Sequence, residues 1–142
     1  EVARERGVLF DLGHGAGSFA FSVAEKALAQ GFLPDTISTD IYYANIDAPV
    51  VDLPTTLSKF LNLGLPLEET IARATLHAAQ AVGDTERGSL QPGKIADIAV
   101  LTLQEGQFTF VDSQKQQLSG KWKLGCEATI AGGRIIYQKV EE

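Results

Sequence analysis

The run Gly7-Val8-Leu9-Phe10-Asp11-Leu12, followed by Gly13-His14-Gly15-Ala16-Gly17-Ser18, decides the fold. A short apolar stretch closed by glycines predicts a buried strand. Ser18 stands where a helix N-cap belongs. Phe19, Val23 and Ala27, with Ala20, Ala24 and Leu28, recur at helical spacing and predict one buried helix face. Gly31 suits the position after the helix end, and Pro34 lies beyond it. Thr36-Ile37-Ser38-Thr39-Asp40 then reads as a second strand ending in a carboxylate. Strand, short loop, helix, short loop, strand is a parallel unit with a right-handed crossover. The chain is therefore expected to be α/β.

Working outward, Ile41 to Val51 lacks a period and reads as a loop. Asp52 is placed to cap a helix with Pro54 in its first turn. Leu53, Leu57, Phe60 and Leu61 make its expected buried face, and Gly64 its end. Pro66 and Glu68-Glu69 open a further helical stretch, closed by Gly83, with acids at the positive end of the dipole. One kinked helix and two separate helices, the second capped by Thr75, fit this stretch equally. Beyond Gly83 the texture changes to turns and alternating residues. Ile95–Leu103 and Phe108–Val111 read as strands, and Trp122 to Ile130 alternates with period two. Gly132-Gly133 separates two apolar runs, a hairpin signal. The expected domains are residues 1–83, α/β, and 84–142, an antiparallel β module.

Composition bounds what such a chain does. Its 142 residues make about one domain. The hydrophobic fraction is 44% and the charged fraction 21%, which excludes a disordered chain. The net charge of −6 argues against nucleic-acid or anionic-membrane partners, which select clustered Lys and Arg. No apolar run is long enough to span a membrane. The single Cys126 excludes an internal disulfide, and a free thiol fits a reducing, cytoplasmic setting. The chain holds no methionine and starts Glu1-Val2-Ala3-Arg4, which predicts a piece of a longer protein.

Two places carry candidate chemistry. One is the loop Gly13 to Ser18; the other is Asp40. In parallel α/β folds, ligands bind at the carboxyl ends of strands, which puts both on the functional side. The loop lacks the third glycine of a dinucleotide fingerprint and the Gly-Lys-Ser/Thr of a P-loop. Three readings stay open: a tight turn, a phosphate-binding loop that departs from both patterns, or the wall of a substrate pocket faced by His14, whose glycine neighbours leave it little side-chain cover. Asp40 alone is as compatible with a turn cap as with a site, since a metal centre takes about three or four protein ligands. His77, in an alanine-rich helical stretch, reads as structural, and Asp97 as a turn or strand-start contact.

Ala74-Thr75-Leu76-His77-Ala78-Ala79-Gln80-Ala81-Val82-Gly83, then Gly88-Ser89-Leu90-Gln91-Pro92-Gly93-Lys94-Ile95-Ala96-Asp97-Ile98, resembles the carboxyl-terminal signature of the amidohydrolase superfamily. Thr129 to Tyr137 is similar to the hairpin that ends such chains. Phe10–Phe19 and Pro34–Asp40 resemble the seventh and eighth strands of the family's barrel, and the nearest branch is the dihydroorotase-like deacetylases. The resemblance implies the last strands and helices of a (β/α)8 TIM barrel followed by part of a small β-sandwich. It also implies a metal-dependent hydrolase of amide, cyclic amide or acyl bonds in a small molecule.

The family's ligands are a His-x-His pair, a bridging residue such as Lys, two further His and an Asp on the eighth strand. Only the Asp has a counterpart, Asp40, which the resemblance makes both a ligand to zinc or another divalent metal and the proton acceptor. His14, Gly17 and Ser18 fall on a loop that the resemblance turns toward substrate. The partners implied are a small-molecule substrate and the remainder of the same barrel, with a homo-oligomer left open. By ligand count the chain alone is expected to be inactive. The rival reading is a non-catalytic α/β fragment that binds a ligand or partner through loop 13–18.

Overall fold

The computed structural model describes residues 2–140; Glu1, Glu141 and Glu142 lie outside the described residues. After a one-turn helix α1 (Val2–Glu5), the glycine-closed run forms strand β1 (Asp11–Gly13), followed by helix α2 (Phe21–Ala29) and strand β2 (Thr36–Ser38). β1 and β2 pair in parallel, Leu12 opposite Ile37, as the strand–helix–strand pattern requires. The strand is shorter than its apolar run. Val8 and Leu9 are exposed, because β1 has a strand neighbour on one side only among the described residues.

The helix start corrects the expectation at Ser18. The cap residue is Ala20, which lacks a capping side chain. The acceptor comes from far along the chain: Asp112 Oδ2 accepts the Phe21 amide at 2.9 Å. A carboxylate at a helix N-terminus also meets the positive end of the dipole. The buried face differs too. Phe21 and Ala24 are buried, whereas Val23 is 64% exposed. The helix end is as read: Gly31 adopts φ 72°, and its amide and that of Phe32 close onto Leu28 and Ala27. That is a Schellman turn.

Asp52 caps helix α3 (Leu53–Asn62) by accepting the Thr55 amide at 2.6 Å, a contact of about 1 kcal/mol. Leu57 and Phe60 are buried as expected, but Leu53 is 36% exposed. Thr56, Ser58 and Lys59 are buried instead, because α3 packs against the β sheet with a polar stripe. The next helical stretch resolves into two helices, α4 (Leu67–Ala74) and α5 (Leu76–Ala81), broken at Thr75. Thr75 does not cap the second; its hydroxyl bonds back to Ile71 O.

The rest is a three-stranded antiparallel sheet of β3 (Ile98–Val111), β4 (Gln117–Ala131) and β5 (Arg134–Gln138). The two strand pieces read before Ser113 are one strand, with a register shift between Glu105 and Phe108. Gly132 and Gly133 make the hairpin tip, both with positive φ. Helices and sheet share one core: Phe19, Phe21, Ile37, Leu57 and Phe60 pack with Phe110 and Leu124 from the sheet. Each such side chain, fully buried, contributes about 1.5–3 kcal/mol. Asn62 fixes the seam, its amide bonding Lys121 N, Trp122 N and Trp122 O of β4.

Candidate functional site

Loop 13–18 and Asp40 meet at the carboxyl edge of the parallel pair. The pairing continues past the strands, His14 N donating to Ser38 O at 3.3 Å and Gly15 N to Thr39 O at 3.0 Å. Gly15 has φ 54°, a conformation glycine adopts without strain. Its missing side chain is what lets Asp40 in: a Cβ on Gly15 would stand 2.7 Å from Asp40 Oδ2. Asp40 itself has φ 48°, in the left-handed region that Asp tolerates better than most residues. Asn45, wholly buried, holds this bend by donating from Nδ2 to Asp40 O at 2.9 Å and accepting the Tyr42 amide at Oδ1. Nothing in the sequence marks Asn45: an Asn inside a loop without period gives no signal of its contact.

The Asp40 carboxylate is exposed, and no hydrogen bond or ion pair among the described residues engages it. A free, backbone-fixed carboxylate is a suitable oxygen donor for a divalent cation. It stands alone in that role: among the described residues no three His, Cys, Asp or Glu side chains gather as a metal site. Gly17 and Ser18 are exposed on the same loop, with Ser18 Oγ 3.5 Å from the place of a Gly15 Cβ. A cleft of about 330 Å³ opens elsewhere, between β1 and α2. Ser18 and Gly13 line it with Leu12, Phe19 and Leu28; Asp40 does not.

His14 is the main correction. Expected to face a pocket, it is 0% exposed and lies against the Phe19 ring. The glycines leave the loop side open, but the loop folds the ring inward against Phe19 and Lys59 of α3. Nδ1 lies 2.9 Å from Gly15 O, and a carbonyl demands a donor, so Nδ1 carries the proton. Nε2 then accepts from Lys59 Nζ at 2.7 Å. Burial holds the His14 pKa below its usual 6.5, which keeps the ring neutral. Lys59 is equally hidden, and its ammonium also donates to Pro49 O at 2.6 Å and Val111 O at 2.8 Å. Burial lowers its pKa to about 8, against a pull upward from the Asp112 charge. Three acceptors match three ammonium protons. A lysine between Ser58 and Phe60 carries no sequence sign of this role.

Asp97 and His77 fall where they were read. Asp97 Oδ1 accepts the Gly132 amide at 2.8 Å, and Oδ2 meets Arg87 Nε at 2.7 Å. The Gly132 amide and Arg87 hold its carboxyl below the usual range. His77 is half-buried on α5, at the opposite end of β2 from Asp40 and near Thr36.

The comparisons with known proteins bear on the same stretches. A family model described as the amidohydrolase family matches residues 59–137. The chain belongs to the amidohydrolase family. It is 40% identical over 134 residues to a deacetylase of Enterococcus faecalis, which covers 94% of the chain and 36% of that protein. The solved structure of an adenine deaminase superposes at TM-score 0.92, with 40% identity over 97% of the chain and 38% of its own. A dihydroorotase structure follows at TM-score 0.87 and 33% identity, covering 96% of the chain and 37% of its own. The chain thus spans 36% of the length of that curated relative. No helix among the described residues is long and apolar enough to cross a membrane.

Proposed function

We propose that the chain is the carboxyl-terminal part of a metal-dependent hydrolase that cleaves an amide, cyclic amide or acyl bond of a small molecule, a deacetylase first among these. On this reading residues 1–83 supply the last strands and helices of a (β/α)8 barrel, and 84–142 belong to a β-sandwich. The observation that carries it is the carboxylate of Asp40, unengaged among the described residues, on a backbone held by Asn45 and beside Gly15 at the carboxyl edge of a parallel pair.

A divalent metal such as zinc, when bound, lowers the pKa of a water toward ~7 and polarises the scissile carbonyl. Asp40 offers one carboxylate oxygen as a ligand. With the metal held in the complete protein, its carboxylate would accept the proton of the attacking water and hand it to the leaving group, general acid–base work of about 10²–10⁴-fold. Gly17 and Ser18 line the substrate side, where the Ser18 hydroxyl can bond a substrate oxygen. Buried His14 has no such contact.

The test is steady-state kinetics and metal content of the complete protein, assayed on N-acetyl amides and cyclic amides with zinc added. Turnover that disappears on chelation and returns with zinc is the expected result. Turnover indifferent to chelation counts against the reading. The isolated 142-residue chain is expected to bind zinc weakly and to turn nothing over.

A further inference from the structure

We propose that Lys59, His14 and Ser113 form a positioning device that fixes Gly15 beneath the Asp40 carboxylate and anchors the candidate site to the β sheet. This rests on Asp40 having the role given above.

Gly15 is clamped through its carbonyl. It accepts from His14 Nδ1 at 2.9 Å and lies 3.2 Å from Ser113 Oγ. The Ser113 hydroxyl also accepts the Phe19 amide at 3.3 Å, so it spans the loop from one end to the other. On its far side the His14 ring is held by Lys59, whose other two protons go to Pro49 O and Val111 O. One ammonium thereby joins the glycine loop, the segment after Asp40 and the end of β3. Gly15 in turn donates to Thr39 O, next to Asp40, and the carboxylate oxygen lies 2.7 Å from where a Gly15 Cβ would stand. A neutral ring with its proton on Nδ1 is the state that clamps. The opposite tautomer would set a lone pair against Gly15 O and an N–H against an ammonium. Lys59 is thus a positioning residue, acting through His14 on the loop that meets Asp40.

The device makes predictions that packing alone does not. In the complete protein, loaded with zinc, Ser113→Ala should lower kcat by about 10–100-fold with KM within about threefold, the order expected for a small misplacement of a reacting group. Ser113→Thr, which keeps the hydroxyl, should restore most of it. Lys59→Met should lower kcat at least as far. Nitrogen-15 spectra should show His14 protonated at Nδ1 in the wild type and a tautomer mixture in Lys59→Met, with faster exchange of the Gly15 amide. Wild-type kcat in a folded Ser113→Ala, or a wild-type His14 protonated at Nε2, would overturn the proposal. If Lys59→Met does not fold, the two Ser113 variants decide. If the wild type turns over no amide, the hydrolase reading fails by itself. The clamp is then judged on exchange in Ser113→Ala: faster Gly15 exchange supports it, and unchanged exchange refutes it.

Discussion

Asp40 and Asp97 are the same residue type at strand ends in two regions of the molecule, and they are treated oppositely. Asp97 precedes β3 and is satisfied on both oxygens, by the Gly132 amide and by Arg87. Asp40 follows β2 with its carboxylate unengaged among the described residues, while its backbone is held by Asn45 at a positive φ. The antiparallel region spends its polar groups on closing its own turns. The parallel edge fixes the backbone and leaves the side chain free. A carboxylate carried on a fixed backbone and unsatisfied in bonding is open to a ligand, because the cost of placing that backbone has already been met in folding.

The widest break between the two regions should come from Asp40→Asn in the complete protein. Asn preserves size and one oxygen but cannot accept the proton, so kcat should fall by at least about 10²-fold with the thermal midpoint unchanged. Steady-state kinetics with circular dichroism melting checks this, and near-normal turnover would refute the role given to Asp40.

Gly15→Ala should come next. Its methyl would meet Asp40 Oδ2 at 2.7 Å on a backbone with φ 54°. Turnover should fall, and stability should drop by about 1–3 kcal/mol, as for a strained non-glycine residue. Urea titration and kinetics on the same preparation separate the two losses.

In the sheet the comparison predicts stability effects alone. A Cβ on Gly120 would stand 2.6 Å from Asn62 Cγ. The Asn62 head cannot move aside without releasing Lys121 N, Trp122 N and Trp122 O. Gly120→Ala should therefore cost about 1–3 kcal/mol by overpacking, with the rate per folded molecule unchanged.

The smallest effect is Asp97→Asn. The Gly132 amide, and then Arg87, lower the Asp97 pKa in the folded state. A depressed carboxylate contributes stability that is present above its unfolded pKa and is lost as pH falls through the folded value. The wild type should lose this contribution in acid. Asp97→Asn should lack it already at neutral pH and show a shallower acid slope in melts taken from pH 7 downward, with turnover intact.

These outcomes also bear on how the molecule is legible. Asp52 was readable as a cap because its partner, the Thr55 amide, lies three residues on. Ser18 was misread as one because the acceptor for Phe21 arrives from Asp112, across the core. His14 looked open for a similar reason: its glycine neighbours gave no cover, and its cover comes from Phe19 and from Lys59 of α3. Asp40 was legible at its position, through strand order and family resemblance. Its freedom from partners was not.

By itself the sequence determined the features that close within a turn: the helix stops at Gly31, Gly64 and Gly83, the cap at Asp52 and the Gly132–Gly133 hairpin. Each depends on backbone conformations and on bonds between near neighbours, which residue type fixes locally. Tertiary structure alone decided that Lys59 is buried with three acceptors, that His14 is neutral and turned inward, and that Asp112 and Ser113 reach back to the glycine loop. Those contacts join residues far apart in the chain. Their strength comes from desolvation in a core that exists only once helices and sheet have met.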